Sequence, residues 1–200
     1  MAKPLPIDGL DPDRRLRPNA RRILATRIGE VWAYGPAVTH PGRVRELHDM
    51  RIACKRLRYL LEIFAIAFDD DLEPFIDGVR GLQDLLGDIH DGDVQIPMLE
   101  EHLAWLGQRE GGAARLLVAE ASSRRRRREG PPSEAAFRAF ARKLEVGRRG
   151  DERLGVQVLI GRRRRERDVV YARFLDEWRR LKSERFRPRL EAALGIGGDA

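Results

Sequence analysis

RVRELHDMRIACKRLRYLLEIFAIAF, residues 43–68, is the stretch that decides the fold. Within it Leu47, Met50, Cys54, Leu57, Leu61, Phe64 and Phe68 recur at alternating steps of three and four. That period is one face of an α-helix, and its regularity over three heptads is that of a bundle seam. Cys54 stands on the seam and reads as a small buried hydrophobe. Asp69, Asp70 and Asp71 follow, offering a cap and favourable charge for a new helix start. Leu72, Phe75, Val79, Leu82, Leu86 and Ile89 repeat the seam spacing after them. His90-Asp91-Gly92-Asp93 is expected to interrupt this second helix, whose pattern resumes at Ile96, Leu99, Leu103 and Leu106.

Outward from this pair the chain stays helical. After Pro4, Pro6 and Pro12, a first helix is expected from Pro18 to Tyr34, carried by Ala20, Ile23, Leu24, Ile28 and Val31 and stopped by Gly35-Pro36. Residues 107–152 are less regular. They read as a short apolar helix (Ala113 to Ala121), the basic run Arg124 to Arg128, a break at Gly130-Pro131-Pro132, and a Ser133-capped helix with Phe137, Phe140 and Leu144. A loop is expected from Gly147 to Asp151. The last helix is expected from about Arg162 to Arg187, with Tyr171, Phe174, Trp178 and Leu181 buried and Pro188 ending or kinking it. Leu154 to Ile160 is β-like but too isolated to build a sheet. The fold class is all-α, an up-down four-helix bundle with an additional helical arm. The domain reading is an N-terminal extension (1–17), a single helical domain (18–190) with 107–152 as an inserted arm, and a flexible C-terminus (191–200).

Composition narrows the function classes. The 200 residues hold 39 Lys+Arg and 32 Asp+Glu, a net charge of +7. The first 110 residues are net −4 and the rest net +11, and 35 of the basic residues are arginine. Arginine is the better bidentate phosphate ligand, although a surface cation of any purpose raises the same count. The first thirty residues lack the apolar core of a secretory signal, and no run approaches the roughly 18 apolar residues of a membrane helix. One cysteine makes neither an internal disulfide nor a cysteine-based zinc site. The expectation is a cytoplasmic protein with no membrane partner.

One residue along from the seam runs a second stripe: His48, Arg51, Lys55 and Arg58, spaced 3-4-3. It spans ten residues of helix, about 15 Å, and meets no acid until Glu62. Like charges held this close repel unless an anion joins them, and a linear polyanion lying along the helix would do so. The same side chains, alternatively, extend from the bundle boundary to acids on a neighbouring helix, with Asp84, Asp88 and Asp91 as partners. Tyr59, on the far flank with Arg56, reads as packing.

The run His48-Asp49-Met50-Arg51-Ile52-Ala53-Cys54-Lys55-Arg56-Leu57-Arg58-Tyr59-Leu60-Leu61-Glu62 resembles the signature of the CHAD family, the histidine-bearing α-helical domains. Leu82-Gln83-Asp84-Leu85-Leu86-Gly87, followed by His90-Asp91, resembles that family's second hallmark. A weaker match covers Tyr171 to Leu175 and on through Trp178 to Leu181. The resemblance implies a helical bundle that binds inorganic polyphosphate along a basic groove or pore, without turnover and without a cofactor. It points to His48, Arg51, Lys55, Arg56 and Arg58 as the basic wall. His48 either donates to phosphate when protonated or bonds within the bundle. Arg21 and Arg22 on the first helix, and Arg162, Arg163, Arg164, Arg165 and Arg167 near the start of the last, are candidates for the opposite wall. Family members commonly hold two related bundles. Only one helix of this type occurs here, so the chain is a single-bundle member or half of a homodimer. The alternating Glu-x-Glu-x-Lys strand of the triphosphatase domain often fused to such bundles is absent.

Two other readings compete. His48-Asp49 and His90-Asp91, with His40, His102 and Asp93, have the ligand types of an HD-type metal-dependent phosphohydrolase. The Arg124–Arg128 and Arg162–Arg165 runs could neutralise nucleic-acid phosphates non-specifically, though neither run contains a stacking aromatic.

Overall fold

The seam at residues 47–61 is buried throughout, with Leu47, Met50, Cys54, Leu57 and Leu61 almost without exposure. The computed structural model describes residues 3–13, 15–126 and 146–197, with side chains for all of these except 109–126 and 146–151. Its helices are α1 (Leu16–Ala33), α2 (Val44–Phe64), α3 (Glu73–Arg126), α4 (Val146–Ser183) and α5 (Phe186–Ala193). Short 3-10 turns at Ala37–Thr39 and Ala65–Ala67 flank α2. The all-α expectation holds: no strand occurs among the described residues, and none of their helices is long and apolar enough to cross a membrane. The chain divides into two compact units, Met1–Asp93 with Glu166–Ala200, and Val94–Arg165.

In the first unit the apolar faces of α1, α2, the first five turns of α3, the end of α4 and α5 close on one core. Its widest part is aromatic. Trp32 lies 5.5 Å from Trp178 and 6.0 Å from Phe186, and Phe75 meets Phe186 edge-on at 5.4 Å. Two glycines make room for these rings: a Cβ on Gly78 would stand 2.5 Å from the Phe186 ring, and one on Gly35 would stand 3.1 Å from Trp178. Tyr171 donates its hydroxyl to the Val38 carbonyl at 3.0 Å, which fixes the turn leading into α2. Burial pushes the Cys54 thiol up to about 12, so it is the inert hydrophobe its seam position implies. The N-terminal extension lies on α1: Arg27 donates to the Leu5 carbonyl, and the Leu5 amide donates to Glu30.

Several boundaries differ from the sequence reading. The second seam helix is not interrupted at His90–Asp93, because His90, Gly92 and Asp93 pack against other helices and only Asp91 is exposed. Gly92 is buried against the Arg167 side chain of α4, and Asp93 accepts from Arg167 at 3.0 Å. The expected short helix at 113–121 is part of α3, which continues through Pro97 to Arg126. The expected loop at 147–151 and the β-like stretch at 154–160 are both inside α4. An isolated strand has no ladder partner, whereas a helix satisfies its own backbone. The last helix ends at Ser183, before Pro188. Pro188 is the third residue of α5, where its missing N–H leaves no helical bond unmade. Residues 191–194, expected in a flexible tail, are ordered: Leu190 and Leu194 are fully buried. The expected Ser133-capped helix, with Phe137, Phe140 and Leu144, lies outside the described residues, as do Arg127 and Arg128.

The second unit begins at Val94, thirteen residues before the expected arm. It has its own buried contacts at Leu106 and Ile160, and an Arg164–Glu100 ion pair.

Candidate functional site

Because the side-chain period of α2 places residues 48, 51, 55 and 58 beside its seam, the row sits at the edge of the core. There it meets α3 running the opposite way. The His48 and His90 rings lie 4.5 Å apart, Arg51 lies across from Gly87, and Arg58 donates its Nε to Gln83 at 3.0 Å. Thus the two sequence hallmarks are two faces of one helix–helix seam. On α3, residues 83, 87 and 90 step by four and three, which mirrors the spacing on α2.

The four members of the row have different surroundings. Arg58 is largely committed, with its side chain 16% exposed and Nη1 on Glu62 at 2.8 Å as well as Nε on Gln83. Arg51 is half-buried, and among the described residues it makes no hydrogen bond or ion pair. A Cβ on Gly87 would stand 3.8 Å from its Nε, an ordinary contact distance, which places the guanidinium against this turn of α3. Lys55 is exposed and lies over the Tyr59 ring at 5.8 Å, with Arg58 over the same ring at 4.4 Å. Tyr59 is 44% exposed, so it is not core packing; it is a platform holding two cations beside the seam. None of Asp84, Asp88 and Asp91 pairs with the row among the described residues. Arg58 does reach α3, but its partner there is the neutral Gln83, and its acid, Glu62, stands on α2 itself.

His48 is the other open group. Its Nδ1 is buried and has no hydrogen-bond partner among the described residues. Burial first, and then His90 and Arg51, hold its imidazole below the ordinary value, while Asp49 works the other way.

Of the remaining candidates, the structure commits some elsewhere. Arg21 donates its Nε to the Leu194 carbonyl at 2.8 Å and closes the end of α5. The Arg22 guanidinium lies against Gly9 of the N-terminal extension. Arg56 points to the other flank of α2, where its charge, with those of Asp49 and Glu30, acts on the Tyr34 phenol. Arg167 is buried with Asp93, donates to the Pro41 carbonyl at 2.6 Å, and is therefore part of the scaffold. Arg162, Arg163 and Arg165 belong to the second unit, Arg165 donating to the Gly161 carbonyl. The sequence reading singled out Gln83, Gly87 and His90 as part of the second hallmark but did not set them opposite the row, for which the mirrored four-three step was the available signal.

Residues 2–100 match the CHAD domain family. The chain belongs to that family. No curated protein and no solved structure matches it. The CHAD match contains α1, α2 and the part of α3 that faces the row, so both hallmark stretches lie inside it. It stops short of Tyr171–Leu181; that segment joins the CHAD core by packing, through Tyr171, Phe174, Trp178 and Leu181. CHAD domains are associated with polyphosphate-related functions.

The residues of this CHAD domain do not assemble the ligand set of an HD-type metal centre. His48 and His90 meet, but no three His, Cys, Asp or Glu side chains are grouped as metal ligands among the described residues. Asp93 is held by Arg167, and His102 stacks on Trp105 in the second unit.

Proposed function

We propose that this CHAD domain binds inorganic polyphosphate along the α2 row, as a ligand it holds rather than a substrate it turns over. The observation that supports this best is Arg51. A half-buried guanidinium on a helix costs free energy unless an anion meets it, and the groups beside it are a glycine, a second cation and an imidazole pair. A phosphate chain supplies one anionic group after another along that line. Both ends of the interaction are then preorganised: the cations by α2, the opposite side by α3.

Three contacts, from His48, Arg51 and Lys55, at about 1.5–3 kcal/mol each, sum to about 4.5–9 kcal/mol before ordering costs, which corresponds to affinity between about millimolar and about micromolar order. Calorimetric titration with long-chain polyphosphate at near-physiological salt tests this. Binding is expected in the wild type and is lost in an Arg51→Ala/Lys55→Ala/Arg58→Ala variant that remains helical by circular dichroism. Triphosphate binds more weakly, because it fills only part of the row. Equal affinity for triphosphate, or full binding by the triple variant, would overturn the reading. Displacement by excess duplex DNA would instead favour a general basic patch at Arg162, Arg163 and Arg165. A second copy of the chain is the partner this reading assigns to the open side of the row. Light scattering of the complex should then give twice the protomer mass, and a monomeric complex removes that partner.

A further inference from the structure

We propose that His48 and His90 form a proton-gated phosphate subsite at one end of the row, so that polyphosphate binding takes up a proton. This rests on the polyphosphate reading above and adds its regulation. It also assigns a phosphate-binding residue on α3, where the sequence reading placed no polyphosphate contact.

The geometry carries the argument. The two rings lie 4.5 Å apart at an angle of 44°, one from each of two antiparallel helices. The His48 Nδ1 is buried and unpartnered among the described residues. Among the described residues, the charged groups acting on His48 are His90 on α3 and, on α2 itself, Asp49 and Arg51. Asp49 favours a proton, but its carboxylate also lies 4.0 Å from Arg45, which divides its effect. His90 and Arg51 both oppose a positive charge at His48. In the free protein, therefore, a proton on His48 is opposed by burial, His90 and Arg51, with Asp49 alone working in its favour.

A phosphate lying on Arg51 reverses that balance. It cancels the Arg51 field and accepts a hydrogen bond from an imidazolium N–H. The ligand then favours the protonated pair and, by reciprocity, the proton favours the ligand. Affinity rises as pH falls through the range in which free and bound imidazoles differ in charge. It is greatest below the free protein's value and declines as pH rises through the raised value of the complex. One proton taken up gives at most about a tenfold gain per pH unit. Long chains are the right probe, because only their terminal phosphates titrate near neutrality.

The experiment is calorimetry with long-chain polyphosphate at fixed salt, from about pH 5.5 to about pH 8, in two buffers of different ionisation enthalpy. The wild type should gain about five- to tenfold in affinity per unit of acidification near pH 6.5, with a buffer-dependent heat that reports proton uptake. His90→Gln and, separately, His48→Gln should flatten that slope, each leaving affinity at about pH 6 near the wild-type value at about pH 8. The proton count on the wild type needs no variant, so a misfolded mutant does not obscure the result. Binding without proton uptake overturns the gate and leaves the polyphosphate reading standing, as does a slope that survives the double variant. No binding at any pH overturns both.

Discussion

Replacing Arg51 with alanine separates a ligand-facing arginine from a structural one, and the structure provides two controls. Arg51 lies against Gly87 with no ion pair among the described residues, so its removal takes away one charge-assisted contact. At about 1.5–3 kcal/mol, that is roughly a 10- to 150-fold rise in Kd for long-chain polyphosphate. The salt dependence should fall with it, the slope of log K against log salt shrinking by about one. Arg58 is on the same helix face, but its Nε and Nη1 are already given to Gln83 and Glu62. Arg58→Ala should raise Kd by less than about fivefold and cost a few tenths of a kcal/mol of stability, the usual worth of such a helix pair. Arg21 closes the end of α5 on the Leu194 carbonyl, so Arg21→Ala should lower the melting temperature and leave Kd within about twofold. The assay is calorimetry on all three variants, with thermal unfolding on the same samples. If Arg21→Ala weakens binding as much as Arg51→Ala does while its fold is intact, the assignment of roles from hydrogen-bond commitments is wrong.

Other consequences can be measured on stability. Gly78→Ala would drive a methyl group into the Phe186 ring, which Trp32 and Phe75 hold in place, and should cost about 1–3 kcal/mol by chemical denaturation. Asp93→Ala leaves the Arg167 guanidinium with the Pro41 carbonyl but no carboxylate and should cost about 1–3 kcal/mol; a loss under about 0.5 kcal/mol would show that water replaces the carboxylate. Arg185 holds the left-handed conformation (φ 53°) between α4 and α5, so Arg185→Gly should stabilise by up to about 1 kcal/mol, seen as a higher melting temperature. His48 binds a proton less readily in the folded chain than in the unfolded one, so stability is lost as pH falls below about 6.5. That acid limb should be shallower in His48→Gln, and an unchanged limb would remove His48 as its source.

The seam of α2 and the row beside it were legible because helical periodicity is a local property and both stripes share it. The α3 side was only half legible. Its apolar positions followed the same period, but His90 to Asp93 have the composition of a solvent-facing break. In the fold Gly92 and Asp93 grip Arg167 instead, and a contact 74 residues distant in sequence leaves no local trace. The arginines were the hardest to sort. Arg21, Arg51 and Arg167 look alike in a sequence, and their roles differ only in what lies opposite: a carbonyl at Leu194, the backbone of Gly87, and a carboxylate at Asp93. The length of α4 was missed because Gly147, Gly150 and a run of arginines have little apolar signal, although a helix needs only its own backbone bonds to continue.

The Asp93–Arg167 pair also has a kinetic side. Asp93 is the last residue of the first unit before α3 passes into the second, and Arg167 follows just after α4 returns. Helices fray from their least supported turns, and fraying stops where a side chain must break a buried contact before the next backbone bond can open. A paired, nearly dehydrated carboxylate and guanidinium at that crossing form such a stop on both strands of the chain at once. Amides of residues 94–126 and 146–165 should then exchange with solvent in their own cooperative opening, while those of the helices packed before Asp93 and after Arg167 wait for the bundle itself to unfold. The pair thus acts as a rivet, keeping local melting of the long helices from spreading to the seam that holds the row of cations in place.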